Sequence, residues 1–409
     1  MNNSLPQGWD EKELSRIANI VMGQSPKSTS YNELGNGEIF YQGVTDFGEF
    51  YPFVKKYTTE PKKMANIDDI LFSVRAPVGT LNIANNRCCI GRGVSSLSMK
   101  NKENRFLYYL LKFNQKIFEN LATGTTFTAV NKKDIENFVV KFPQDINEQK
   151  RIADILSAFD DKIELNNQMN QTLEDMATAL FKEWFENFNF PNDEGKAYKE
   201  NGGEFKSSEL GEIPIDWEVC KIEDNVEILG GGTPSTKNES YWIGGDINWF
   251  SPTDITKSNS MFYSKSAKKI NINGLNNSSA KEFPPYSLML TSRATVGEIG
   301  INTEAATTNQ GFITLIPNER FSLKYLYFWL YSKIDEIHSL ASGSTFKEIS
   351  KRDFKKLKIL KFNKQLLDLF EKKVNPIFEK IENNQKENSS LKNLRDELLP
   401  KLMSGEKRV

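Results

Sequence analysis

Apolar residues recur at alternating steps of four and three along two stretches of this chain. The first stretch, about residues 147–186, carries Ile152, Leu156, Phe159, Ile163, Asn166, Asn170, Leu173, Ala177, Leu180 and Trp184. Adding 218 to each number gives Phe370, Val374, Ile377, Ile381, Asn384, Asn388, Leu391, Arg395, Leu398 and Leu402. Both are heptad seams, and they predict two long helices that pair as a coiled coil. Each seam spans about 50 Å at 1.5 Å per residue. Arg395 is the one charged member and leaves its contact open. Pro376 predicts a kink, or a fresh helix start after Asn375.

The four asparagines set the register. Buried polar seam residues cost stability and fix alignment. Antiparallel pairing sets Asn166 against Asn388 and Asn170 against Asn384. Parallel pairing sets Asn166 against Asn384 and Asn170 against Asn388, which satisfies them equally. A solvated edge on a loose helix pair is the plain alternative. The pattern leaves the direction open.

Outside the seams the periodicity is mixed. Ile70–Val74, Leu288–Ser292 and Phe138–Phe142 read as short buried strands, bounded by turn or charged residues. Phe106–Leu121 and Leu323–Leu340 read as helices. Residues 187–215 hold little apolar periodicity, and 187–203 read as a linker. These segments recur in order. LATGTTFTAVNKKDI answers to LASGSTFKEISKRDF, SVRAPVG to TSRATVG, GQSP to GGTP and Trp9 to Trp217. The offset is 208 residues early, 218 in the middle and 219 late. A period this long excludes a solenoid, and each copy is long enough for its own core. The expected fold is α/β: two tandem mixed α/β domains, 1–146 and 204–362, separated by helices 147–186 and 363–409, in a pseudo-twofold internal repeat.

Composition changes this picture little. With 38% hydrophobic and 26% charged residues the chain reads as globular. It shows no apolar run of membrane-spanning length and no signal-peptide pattern, so a cytoplasmic location is expected. Cys88, Cys89 and Cys220 make no CxxC pair, which fits a reducing compartment. Net charge is −1 overall: +3 over 1–146, −6 over 147–203, zero over 204–362 and +2 beyond. The strongest basic stretch is Phe346–Phe362, with seven basic residues against Glu348 and Asp353. That charge permits nucleic-acid binding and does not establish it.

The single histidine, His338, excludes HEXXH zinc sites and makes histidine-based catalysis a poor reading. Phe283-Pro284-Pro285-Tyr286 is similar to the Pro-Pro-Tyr box of amino-methyltransferases, but phenylalanine cannot accept the bonds of a target amine. Asp193-Glu194-Gly195-Lys196 loosely resembles a nuclease motif, yet it falls in the expected linker, whereas such a site needs rigid strands. No catalytic residue and no metal site are expected.

Candidate contacts come from the repeated polar loops, where glycine lets backbone approach phosphate and arginine can read guanine. In the first copy they are Gln24, Ser25, Lys27, Thr45, Asp46, Arg75, Arg92, Thr125, Thr126, Phe127, Lys132 and Lys133. In the second they are Thr233, Ser235, Thr236, Thr253, Asp254, Arg293, Gln310, Ser344, Thr345, Phe346, Lys347, Lys351 and Arg352. Residues shared by the copies should shape the scaffold or touch phosphate, and those that differ should read bases. The bland alternative is that shared Gly, Pro and Arg only maintain turns and core pairs.

The chain resembles the specificity (S) subunit of type I restriction–modification systems. The resemblance covers nearly all of it. It rests on the two-copy order, on NEQKRIADILSAFDDKIELNNQ leading to LFKEWF, on GEIPIDWEV entering copy two and on LRDELLPKLMSGE near the end. It implies two target-recognition domains that read the halves of an interrupted DNA site, with the helices as spacer ruler and docking surface. It also implies two methylation (M) subunits and restriction (R) subunits as partners. No cofactor is then expected in this chain; S-adenosylmethionine, ATP and Mg would sit on those partners. The competing expectations are a self-contained DNA methyltransferase or nuclease, and a coiled-coil scaffold without a DNA role.

Overall fold

The computed structural model describes residues 5–122, 129–192, 194–257, 260–343 and 347–409. The chain divides into two compact units: unit 1 is Met1–Asn166 with Glu387–Val409, and unit 2 is Asn167–Lys386. Each unit therefore owns half of each long helix.

Unit 1 contains β1 (Ala18–Met22), β2 (Glu38–Tyr41), β3 (Ile70–Ser73), β4 (Leu81–Ile83), β5 (Cys88–Ile90) and β6 (Val94–Met99). An antiparallel sheet runs in the order β1-β6-β3-β4, and β2 pairs parallel with β5. β3 reads Ile-Leu-Phe-Ser without alternation because both its faces are covered, and all four residues are buried. The helices α1 (Asn104–Phe113) and α2 (Gln115–Ala122) pack on this sheet through Phe106, Leu107, Leu110 and Phe118. The expected single helix here is thus two, parted at Asn114.

Unit 2 repeats the plan with β7 (Glu227–Gly230), β8 (Ile247–Phe250), β9 (Phe262–Tyr263), β10 (Leu288–Thr291), β11 (Ile299–Asn302), β12 (Ala306–Thr308) and β13 (Phe312–Ile316). The sheet order is β7-β13-β10-β11-β9, and β8 pairs parallel with β12. The helices of this unit are α4 (Leu323–Ser332) and α5 (Ile334–Leu340). Residues 187–203 join in: Phe190 stacks on Tyr198 and on Trp217, at 4.7 and 5.2 Å between ring centres. Trp217 and its counterpart Trp9 are both core residues, which is why both copies open on tryptophan.

The seam helices are α3 (Ile146–Phe181), extended by a wide turn over Lys182–Glu186, and α6 (Lys364–Met403). Every seam position is buried or half-buried. Pairing is antiparallel in each unit. In unit 1 the Asn166 amide donates to Asn388 Oδ1 at 2.8 Å; in unit 2 the Asn384 amide donates to Asn170 Oδ1 at 2.8 Å. The expected fresh start after Asn375 does not occur, because α6 runs through Pro376. Losing one backbone bond there is outweighed by burial of Phe370, Val374, Phe378 and Ile381 on the same face.

Arg395 finds its partner one residue off the first seam. Its guanidinium binds Asp160 at 2.5 Å, with both side chains only 7% exposed, and the other Asp160 oxygen accepts from the Tyr109 hydroxyl at 2.6 Å. Burial works against the Arg395 charge, but Asp160 and Asp396 outweigh it and hold the group above the usual arginine range. Burial, then Asp160, pushes Tyr109 well up.

Candidate nucleic-acid interface

In unit 1, loops at the C-terminal ends of β1, β2, β3 and β5 converge on one open cleft of about 210 Å³. Ser25, Thr45, Arg75 and Arg92, four of the residues singled out from sequence, line it together with Gln42, Gly43, Val44, Ser73, Ala76 and Gly93. Arg75 and Arg92 are exposed, and neither has an ion-pair partner among the described residues. Elsewhere in the same unit Arg87 is neutralised by Glu38 at 2.9 Å. An open concavity holding two uncompensated guanidinium groups, hydroxyls and glycine backbone is suited to a polyanion.

Local backbone geometry explains the repeated glycines. A Cβ on Gly23 would lie 2.1 Å from the Gly91 carbonyl, and one on Gly231 would lie 1.9 Å from that of Asn309. The first loop of each copy is therefore pressed against the loop after β5 or β12. Gln24 N–H donates to Ile90 O at 2.9 Å, and Gly232 N–H donates to Thr308 O at 2.8 Å. For these glycines the bland reading holds: they permit close packing.

The arginine turns are stitched in the same way. Val130 N–H donates to Val74 O, and Ile349 N–H donates to Ser292 O, both at 3.0 Å. Each arginine thereby pairs with the chain leaving its Thr/Ser loop, as Arg75 with Ala129 and Arg293 with Glu348. Thr125, Thr126, Phe127, Ser344, Thr345 and Phe346 lie outside the described residues. Just beyond, Asn131 and Ser350 cap short helices at Lys132–Glu136 and Lys351–Phe354. Lys133, Lys347 and Lys351 are exposed there, while Lys132 faces Glu136 at 3.2 Å and Arg352 faces Asp353 at 4.0 Å.

Two sequence candidates hold turns. The Asp46 carboxylate accepts the Gln42 N–H at 2.8 Å. Asp254 accepts the Ser251 N–H at 2.7 Å and the Ala267 N–H at 2.8 Å. Both acids cap the turn that carries exposed Thr45 or Thr253. Lys27, Gln24, Ser235 and Thr236 are exposed on the neighbouring first loops. In unit 2 the Thr233 hydroxyl donates to Gln310 Oε1 at 2.5 Å, and Arg293 lies 3.6 Å from Glu348.

Sequence reading missed Gln42, which has no counterpart because the loop after β8 is one residue shorter. A repeat comparison highlights what recurs and passes over an insertion. His338 is exposed, and its Nε2 donates to the Val296 carbonyl at 2.8 Å. Burial pushes the Cys88 thiol up to about 12. Among the described residues no group of three or more His, Cys, Asp or Glu is placed to hold a metal ion, and no helix is long and apolar enough to cross a membrane.

Residues 6–175 and 214–360 match the family described as type I restriction modification DNA specificity domain. Over 175 residues the chain is 42% identical to a putative type I restriction enzyme MjaX specificity subunit of Methanocaldococcus jannaschii, a match covering 42% of this chain and 41% of that one. Over 357 residues it is 28% identical to the type I restriction enzyme HindI specificity subunit of Haemophilus influenzae, covering 74% and 77%. The matches to the M. jannaschii relatives MjaX and MjaIX thus span less than half of those proteins. Among solved structures, the S subunit of a type I restriction–modification system from M. genitalium has the same fold, with TM-score 0.56, 19% identity and coverage of 98% and 97%.

Proposed function

Since the chain belongs to the type I restriction–modification DNA specificity family, we propose that it is the sequence-reading subunit of such a system and performs no chemistry itself. The observation that carries this reading is the repeated interface. Two units present the same loops on the same strand ends, with Thr45, Arg75 and Gly93 recurring as Thr253, Arg293 and Gly311, while Arg92 is replaced by Gln310 and Gln42 has no counterpart. Two similar surfaces with different side chains suit a two-part target whose halves differ.

In this reading, residues 1–146 and 204–362 are the recognition domains, each engaging one half of an interrupted double-stranded DNA site. The helices 147–186 and 363–409 set the spacer between the halves and dock two methylation subunits, with 187–203 as the connection. Those subunits bring S-adenosylmethionine; restriction subunits bring ATP and Mg. The complex works in the cytoplasm, where the DNA is. Phosphate contacts supply most of the affinity, and base contacts supply the selection.

The test is to co-express the chain with its methylation subunits and map methylated sites across a genome. A two-part motif with unlike halves is expected, and exchanging residues 1–146 for those of a relative should replace one half only. A contiguous motif, or methylation or cleavage by the chain alone, would overturn the reading.

A further inference from the structure

This inference rests on the DNA-reading role above and assigns base preference within it. Of the cleft residues of unit 1, Thr45, Arg75, Ala76 and Gly93 recur unchanged in unit 2 as Thr253, Arg293, Ala294 and Gly311, and Ser25 recurs as Thr233. Arg92 does not recur: its counterpart is Gln310. It is the one long polar side chain of the cleft that has a counterpart and changes its hydrogen-bonding chemistry there.

The backbone beneath this exchange is held alike in both units. Gly91 N–H donates to Tyr41 O at 2.8 Å, and Asn309 N–H donates to Phe250 O at 2.9 Å. On the other side Val74 N–H donates to Gly93 O at 3.0 Å, and Ser292 N–H donates to Gly311 O at 2.7 Å. A rigid platform is what base reading needs, since an angular error of a few tens of degrees loses a two-pronged contact. Both side chains are exposed at the platform tip. Ser25 Oγ accepts the Arg92 backbone N–H at 3.2 Å, and the guanidinium has no ion-pair partner among the described residues. Thr233 donates to Gln310 Oε1, which orients the amide while the second lone pair of that oxygen can still accept.

An arginine fork matches guanine O6 and N7, whereas a glutamine amide matches adenine N6 and N7. Phosphate contacts carry no sequence information and can use the same residue in both units, and Arg75 and Arg293 are such a shared pair. We propose that Arg92 reads a guanine in one half-site and that Gln310 reads an adenine at the corresponding position of the other.

The complex with methylation subunits tests this through the methylated motifs of Arg92→Gln and Gln310→Arg. Arg92→Gln should move one position of one half-site from guanine towards adenine by about tenfold or more, leaving the other half intact. Gln310→Arg should do the reverse in the other half. Arg92→Ala and Gln310→Ala should relax the same two positions. The unaltered half-site reports that each variant is folded. Unmoved motifs overturn the assignment, above all with a uniform loss of affinity and a salt slope lower by about one, the signature of a phosphate contact. A wild-type complex without a two-part motif overturns the underlying reading instead, and this assignment falls with it.

Discussion

Two units built on one plan close their halves of the helix pair with opposite chemistry. In unit 1, Arg395 and Asp160 form a buried ion pair that also holds the Tyr109 hydroxyl. The corresponding residues of unit 2, shifted by 218, are Ala177 and Phe378, both inside an apolar core. A buried ion pair is no more stabilising than well-packed apolar side chains, because desolvation cancels most of the attraction. The difference therefore teaches about selectivity. Asp160 needs Arg395 and no other seam residue, so the two similar helices are not interchangeable.

The strongest way to break this comparison is to strand one charge. Arg395→Ala leaves a buried carboxylate and should cost about 3–5 kcal/mol in chemical denaturation. Importing the unit 2 chemistry, Asp160→Phe with Arg395→Ala, should recover most of that loss; a double variant as unstable as the single one would show that packing, not charge, decides the site. The seam asparagines come next. Asn166→Ala removes the bond that the buried Asn388 Oδ1 accepts and should cost about 1–3 kcal/mol by the same measurement.

A smaller effect separates the units by pH. Burial raises the Glu174 carboxyl above its ordinary value of 4.5 despite the bond from Tyr327, whereas its unit 1 counterpart, Lys392, is partly exposed and paired with Glu49. A native acid with a raised value binds its proton more tightly than the unfolded chain does. Stability of unit 2 should accordingly fall as pH rises from about 4.5 through the native value. Melting temperatures across that range should lose this slope in Glu174→Gln; an unchanged slope would assign it to other groups. The smallest effect concerns the clefts. Glu348→Gln removes the exposed partner of Arg293 and should strengthen DNA binding by about 0–1 kcal/mol at low salt, with no gain at high salt.

Much of the fold was legible because the signals are local. Helical geometry puts residues three and four apart on one face, so both seams could be read to the residue, asparagines included. The repeated loops were legible as motifs, and Ser25, Thr45, Arg75 and Arg92 do share one cleft. What they share it with was not: Gln42 sits in an insertion, and the carboxylates of Asp46 and Asp254 turn out to hold their own loops. Of the two readings of Pro376, the fresh start fails because its penalty is local while the burial that keeps α6 continuous is not.

By itself, the sequence determined the duplication, the two seams, the candidate loops and the family resemblance, all of which rest on spacing along the chain. Tertiary structure decided the antiparallel pairing, which both asparagine arrangements would have satisfied, and the partner of Arg395, which lies 235 residues away. It also decided which arginines meet an acidic partner among the described residues, as Arg293 does and Arg75 does not. These choices depend on which surfaces meet across long stretches of chain and exclude water together, and no local spacing encodes that.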